Sequence, residues 1–156
     1  MKFRLFSLLL FALLVTVTAG AQDVEKLYEE GKALFDNKNY AKAVPKLKAA
    51  AAKGHKKAQY RLGQCYKEGY GVEKDRKKAF ELFLKSAQQG YAKAEYQVGK
   101  AYLKGKGVPA DEKKAKTWLK RAVSHKKKGP EILAKIRKDA AEGDEDAKHI
   151  LRLIGK

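Results

Sequence analysis

The fold is decided by a stretch of sequence that occurs twice, AQYRLGQCYKEGYGVEKDRKKAFELF at residues 58–83 and AEYQVGKAYLKGKGVPADEKKAKTWL at residues 94–119. The copies are 36 residues apart, and several tyrosines, glycines and aspartates coincide at this one shift. The clearest coincidences are Tyr60 with Tyr96, Gly63 with Gly99, Gly71 with Gly107 and Asp75 with Asp111. Self-similarity at a fixed period of about 20 to 50 residues is typical of solenoid proteins. The chain is therefore predicted to consist of stacked repeating units.

Each unit is predicted to be a pair of antiparallel helices joined by a glycine-rich turn. Ala58, Leu62 and Tyr66 recur at every fourth position, which places them on one face of a first helix. Gly63 interrupts this helix at a cost of about 1 kcal/mol relative to alanine, and we interpret its missing side chain as room for the neighbouring helix. Asp75 and Asp111 are placed to cap the second helices of their units. The predicted fold is thus an all-α solenoid of antiparallel helix pairs.

Less regular units flank the two close copies. Tyr28 and Gly31 keep the spacing of the first helix, but this earlier unit lacks four residues in its turn. Pro45 is expected to kink its second helix or to delay the start of that helix. After a basic break at residues 126–130 the sequence departs from the repeat, as terminal units of solenoids often do. The predicted organisation is a leader at 1–21, a first unit at 22–57, two repeats at 58–93 and 94–128, and capping helices at 129–156.

The two close copies resemble Sel1-like repeats, which are related to tetratricopeptide repeats. The shared pattern is A-x-Y-x-L-G-x-x-Y-x-x-G-x-G-V-x-x-D-x-x-K-A-x-x-W/F, supplied by Ala58 through Phe83 and by Ala94 through Trp118. The first unit looks more like a tetratricopeptide repeat proper. The resemblance implies a right-handed superhelix and an adaptor or regulatory role, since Sel1-like proteins are commonly exported bacterial scaffolds. One branch carries cysteine pairs and has been linked to penicillin binding. This chain has a single cysteine, so that activity is not carried over.

The first 21 residues have the order of a secretory signal peptide. Lys2 and Arg4 precede an apolar run from Leu5 to about Val17, and Ala19-Gly20-Ala21 offers small residues for cleavage. The apolar run is shorter than the roughly 20 residues that span a bilayer, which favours a cleaved signal over a membrane anchor. We therefore predict export to the periplasm or the extracellular space, after cleavage near Ala21.

The chain is strongly basic, with a formal net charge of +18. Such a charge attracts anionic surfaces over long distances. Export argues against nucleic acid as the partner, and it leaves acidic proteins, anionic glycans and lipid head groups as the available polyanions.

The sequence offers little for catalysis, and no cofactor or metal site is predicted. Ser124 and Lys127 have the S-x-x-K spacing of serine acyltransferases, but they lie at a lysine-rich helix end without the partner motifs. The Gly69-x-Gly71 loop and its copy follow a helix rather than a strand, which indicates turns rather than nucleotide sites. Cys65 lies within an apolar helical pattern and is interpreted as a small buried side chain, with a reactive thiol as the alternative.

A binding surface is predicted on the first helices of the units. In a tetratricopeptide-type stack these helices line the inner wall, and positions counted from Gly31, Gly63 and Gly99 form equivalent columns. The result is a concave groove with a tyrosine ladder flanked by lysines, which suits an acidic peptide or an anionic glycan. The predicted partner-binding residues are Tyr28, Lys32, Lys57, Tyr60, Gln64, Lys67, Lys93, Tyr96 and Lys100. The tyrosines also belong to the repeat pattern, so packing against the neighbouring helix remains an open alternative for them.

Three functions follow from these observations. The first is an exported, non-catalytic adaptor that binds a protein or peptide, predicted to be acidic, through the groove. The second is an envelope-associated protein that binds anionic lipid or glycan by its charge. A cell-wall hydrolase is the remote third. The sequence identifies neither the partner nor the oligomeric state.

Overall fold

The computed structural model of the chain describes residue 20 and residues 22–156, and apart from Gly20 the predicted leader lies outside them. Within the described residues all regular secondary structure is helical, which confirms the all-α fold. The helices are α1 (22–36), α2 (Tyr40–Ala52), α3 (Lys56–Glu68), α4 (Arg76–Gln88), α5 (Ala92–Lys104), α6 (Glu112–Ser124), α7 (Gly129–Ala141) and α8 (Glu145–Ile154). Among these helices, none is both long and apolar enough to span a bilayer.

Successive helices pack against each other along the chain. The pairs α3–α4 and α5–α6 form the two close repeats, and the contacts α2–α3 and α4–α5 join one repeat to the next. The buried side chains form two clusters, one drawn from α1 to α5 and one from α5 to α8. Tyr102 packs against both clusters, so the apolar core continues from repeat to repeat. This arrangement confirms the solenoid of helix pairs.

A glycine in each first helix receives a large side chain from the second helix. Gly31 faces Leu47, Gly63 faces the ring of Phe83, and Gly99 faces Leu119. A Cβ atom at Gly63 would lie 2.7 Å from Phe83 Cε1, and one at Gly99 would lie 2.6 Å from Leu119 Cγ. The interpretation of these glycines as packing positions is therefore confirmed.

The turns repeat as closely as the helices do. Gly69 and Gly105 end α3 and α5 in the left-handed conformation, with φ of 84° and 62°, which glycine adopts without steric cost. Asp75 Oδ1 accepts the backbone N–H of Lys78 at 2.9 Å and caps α4, and Asp111 caps α6 in the same way. Both predicted caps are thus confirmed.

The second glycine of each turn makes a contact between repeats. Gly71 lies against the backbone of Tyr40 at the start of α2, and Gly107 lies against the carbonyl group of Arg76 at the start of α4. Each turn therefore packs on the first residue of the second helix in the preceding repeat. Only a residue without a side chain allows so close an approach of two backbones.

The expectation that Pro45 delays the start of its helix is wrong. Helix α2 begins at Tyr40 and continues through Pro45 to Ala52. Proline removes one backbone hydrogen bond from the helix, while Ala43, Val44 and Leu47 are buried on its inner face. That burial keeps the segment helical around the proline.

Candidate binding groove

A groove lies between the first helices of the two close repeats. Helix α4 packs against both α3 and α5, and it lines the groove with Ala79, Phe80 and Phe83. Residues of α3 and α5 lie on either side, and Lys135 reaches in from α7. The groove has a volume of about 490 Å³, within the range of about 300–1,000 Å³ that is usual for ligand sites.

The rim of this groove is strongly basic. Among the described residues that line it, Glu68 supplies the one carboxylate, against seven basic side chains: Lys67, Lys74, Arg76, Lys100, Lys104, Lys106 and Lys135. A cleft lined by charges of one sign concentrates the field and raises the local concentration of counter-ions. The groove is therefore a favourable place for anionic groups.

The carboxylate of Glu68 is stabilised in its charged form by the lysines around one end of the groove. Its Oε1 atom lies 2.8 Å from Lys67 Nζ. This hydrogen bond is the largest influence on the pKa of Glu68 and holds it below its ordinary value; burial acts in the opposite direction, and nearby lysines lower the pKa further. Because the pKa falls when the charged form is stabilised, a carboxylate is favoured at this end of the groove.

Lys100 lies half-buried in the groove wall. No carboxylate of the described residues pairs with its ammonium group, which lies 5.4 Å from the ring centroid of Tyr96. Burial lowers the pKa of Lys100, the charges of Lys104 and Lys67 lower it further, and the charge of Asp144 acts in the opposite direction. The charged form of this lysine is thus less favourable here than in water, and an anion entering the groove would offset part of that cost.

The neighbours of Lys100 already have partners. Lys104 pairs with Asp146 of α8, and Lys135 lies 2.7 Å from Asp139 Oδ2 on its own helix. Partly exposed ion pairs contribute only about 0–1 kcal/mol each, so these lysines can exchange an internal carboxylate for one from a ligand.

The structure places the predicted tyrosines mainly in the core. Tyr28 is 4% exposed and its ring packs at a tilt against His55, at a centroid distance of 4.4 Å. Tyr60 is half-buried against Phe83 at 5.7 Å, and burial raises its pKa to about 12. Tyr96 is 8% exposed, yet it also lines the groove. Tyr28 and Tyr60 pack against neighbouring rings, so a binding role for them stays a prediction, and Tyr96 is the member of the column that borders the groove.

Three of the predicted binding residues come together in the groove, namely Lys67, Tyr96 and Lys100. The others do not line it. Lys32 pairs with Asp36 at 3.1 Å, and Lys57 lies 3.9 Å from Glu25 Oε1. Gln64 is half-buried and Lys93 is exposed. A binding role for these residues stays a prediction.

Several groove residues escaped the sequence analysis. Lys104 could have been found, because Tyr96, Lys100 and Lys104 recur at every fourth position and share one face of α5. Lys135 could not, since it belongs to a helix outside the repeat pattern. The apolar residues of α4 were assigned to the core, and nothing in their spacing indicates that their edges border a cleft.

Ser124, the serine of the S-x-x-K spacing, is the last residue of α6, and its hydroxyl donates to the carbonyl oxygen of Arg121 at 2.8 Å. In the described part of the chain, no cluster of three or more histidine, cysteine, aspartate or glutamate side chains has a geometry that could hold a metal ion.

Cys65 is expected to resist thiol reagents in the folded protein. Its side chain is fully buried, and burial raises the pKa of the thiol to about 11. Since the thiolate is the reactive form, Ellman's reagent at pH 8 should label the native protein far more slowly than the urea-unfolded protein. Equal rates in the two states would contradict this burial.

Comparison with known proteins identifies the repeats. The family model described as Sel1 repeat matches residues 56–91 and 92–126. No relative was found among curated proteins.

Two solved structures of Sel1-type proteins are similar over most of the chain. A Sel1 repeat protein from Oxalobacter formigenes is 29% identical, with a TM-score of 0.62, and the match covers 90% of this chain and 96% of that one. A protective antigen of uropathogenic Escherichia coli with an SLR fold is 28% identical, with a TM-score of 0.64. That match covers 89% of this chain but only 30% of the antigen.

Proposed function

Because this chain contains two Sel1 repeats, we propose that it is an exported, non-catalytic adaptor that binds an acidic protein or peptide through the groove between α3 and α5. Sel1 repeat proteins are generally protein-interaction adaptors. Export, to the periplasm or the extracellular space, is inferred from the order of residues 1–21.

The observation that carries the proposal is a half-buried lysine without a carboxylate partner in the described part of the chain, set among other basic side chains in a recess. Lys100 is half-buried without a carboxylate partner among the described residues, and other basic side chains surround it. A protein that used only its overall charge would need no such recess. Complementary charges in a cleft give specificity and fast association, which are the properties an adaptor requires.

Charge reversal in the groove should abolish binding of an acidic peptide. In the triple variant Lys67→Glu, Lys100→Glu and Lys106→Glu, we expect the affinity for a fluorescein-labelled hexaglutamate peptide to fall by about a hundredfold or more. The loss follows because three attractive contacts become repulsive. Fluorescence anisotropy at about 150 mM salt, where exposed charges are screened beyond about 8 Å, measures the change.

A second triple variant provides a matched control. Lys77→Glu, Lys113→Glu and Lys116→Glu make the same change in net charge on exposed positions of α4 and α6. The proposal expects this control to retain most of its affinity. If both variants lose the same affinity for the peptide and bind phosphatidylglycerol vesicles equally well, the result would instead support a protein that binds anionic surfaces by its charge alone.

A further inference from the structure

We propose that the groove recognises a short acidic segment with an apolar, preferably aromatic, side chain between its carboxylates. This inference rests on the proposed function and names the chemistry of the partner. The apolar side chain lies on the surface of α4, and the flanking carboxylates contact Lys100 and the lysines around it.

The apolar part of the inference comes from the residues beneath the lysines. Ala79, Phe80 and Phe83 of α4 and Ala101 of α5 line the groove together with the charged side chains. Each of these side chains is at most 9% exposed, so only an edge of it faces the groove, and a ligand that carried charge alone would leave those edges uncovered. An aromatic side chain removes them from water and adds contact area at little conformational cost.

The charged part of the inference comes from the helices to which the lysines belong. Lys67 belongs to α3, Lys100 to α5, and Lys135 to α7. Their ammonium groups therefore approach the groove from different helices, and carboxylates on both sides of a central residue can each find a cation. Gln97 also lines the groove, and its amide group can both donate to and accept from the backbone of a peptide.

The depth of the site favours a peptide over a membrane surface as its ligand. Lys100 is half-buried in the wall, and the groove is bounded by residues of α3, α4, α5 and α7. A planar layer of head groups would meet the exposed lysines of the whole surface and would have no preference for this recess. A narrow segment of chain can enter it.

The test uses the full mature chain and a peptide with fluorescein on its amino terminus, fluorescein-Asp-Glu-Phe-Glu-Asp-amide. A second peptide replaces the phenylalanine with alanine, and a third replaces every carboxylate with its amide. We expect the alanine peptide to bind at least about tenfold more weakly than the phenylalanine peptide, since burial of an aromatic ring is lost. The amide peptide should show no measurable binding in the anisotropy assay.

A single substitution probes the protein side. Lys100→Gln places glutamine in α5 at the position where α3 has Gln64. This substitution should lower the affinity for the phenylalanine peptide by about tenfold or more. Lys116→Gln removes an exposed charge from α6 and should leave binding unchanged. The substitution at Lys100 also removes a like-charge neighbour of Lys104, so its thermal midpoint should be equal to or above that of the unaltered protein. A weaker affinity with an undiminished midpoint thus excludes unfolding as the cause.

The outcomes distinguish the two proposals. If acidic peptides bind through the lysines but the phenylalanine and alanine peptides bind equally well, the inference of an apolar subsite is overturned and the adaptor proposal stands. If neither acidic peptide binds, both proposals are overturned. If Lys100→Gln and Lys116→Gln weaken binding equally, the recess is not the site.

Discussion

Replacement of Gly107 by alanine is expected to lower the free energy of unfolding by about 3 kcal/mol or more. Gly107 has a φ of +79°, a conformation that costs an L-residue about 1–2 kcal/mol. The new Cβ atom would also overlap the carbonyl oxygen of Arg76. Because that oxygen belongs to the backbone at the start of α4, the overlap can be relieved only by moving one repeat relative to the next. Urea denaturation followed by circular dichroism measures the loss.

Gly90 offers a matched control for the conformational part of this cost. Its φ is +72°, and a Cβ atom there would meet nothing within 4 Å. We expect Gly90→Ala to cost only the strain of the left-handed conformation, about 1–2 kcal/mol. The difference between the two variants then measures the backbone contact between repeats. Equal costs would show that this contact contributes nothing to stability.

Replacement of Gly99 by alanine should also destabilise the fold, although alanine is the better helix former by about 1 kcal/mol. A Cβ atom at this position would lie 2.6 Å from Leu119 Cγ and 3.2 Å from the backbone nitrogen of Leu119. Overpacking of a dense core typically costs about 1–3 kcal/mol. The sign of the effect is decisive: a more stable Gly99→Ala variant would mean that α6 does not need the space.

A double-mutant cycle with Leu119→Ala isolates the cause. Leu119 is fully buried, and its truncation alone should cost about 2–5 kcal/mol because it leaves a cavity. In the double variant the smaller side chain removes the overlap, and the added methyl group fills part of the cavity. The combined cost should therefore be clearly smaller than the sum of the two single costs. Additive costs would contradict direct contact between these positions.

The repeated part of the structure was predictable because the sequence shows each position twice, once in each copy. Gly63 and Gly99 share a spacing, and their second-helix partners Phe83 and Leu119 share it as well. A residue that recurs in this way must serve the geometry common to both copies, so packing glycines and aspartate caps could be assigned before any coordinates.

The groove was only partly predictable, because it depends on residues that differ between the two copies or lie outside them. Lys100 stands where the preceding repeat has Gln64, and Lys135 comes from a helix without an equivalent in the repeats. The periodic pattern also could not show that Tyr28 is buried against His55, since a column of identical residues is consistent with either a contact surface or an interface between helices. Only the tertiary arrangement separates the two.

The glycine contact between repeats leaves the side chains around it free to differ. Gly71 meets the backbone of Tyr40 and Gly107 meets the backbone of Arg76, so the same junction accepts an aromatic residue in one copy and a cation in the other. Duplicated units can therefore diverge in charge without losing their alignment. Such tolerance is a simple route by which a chain of near-identical modules can acquire one recess of distinct chemistry.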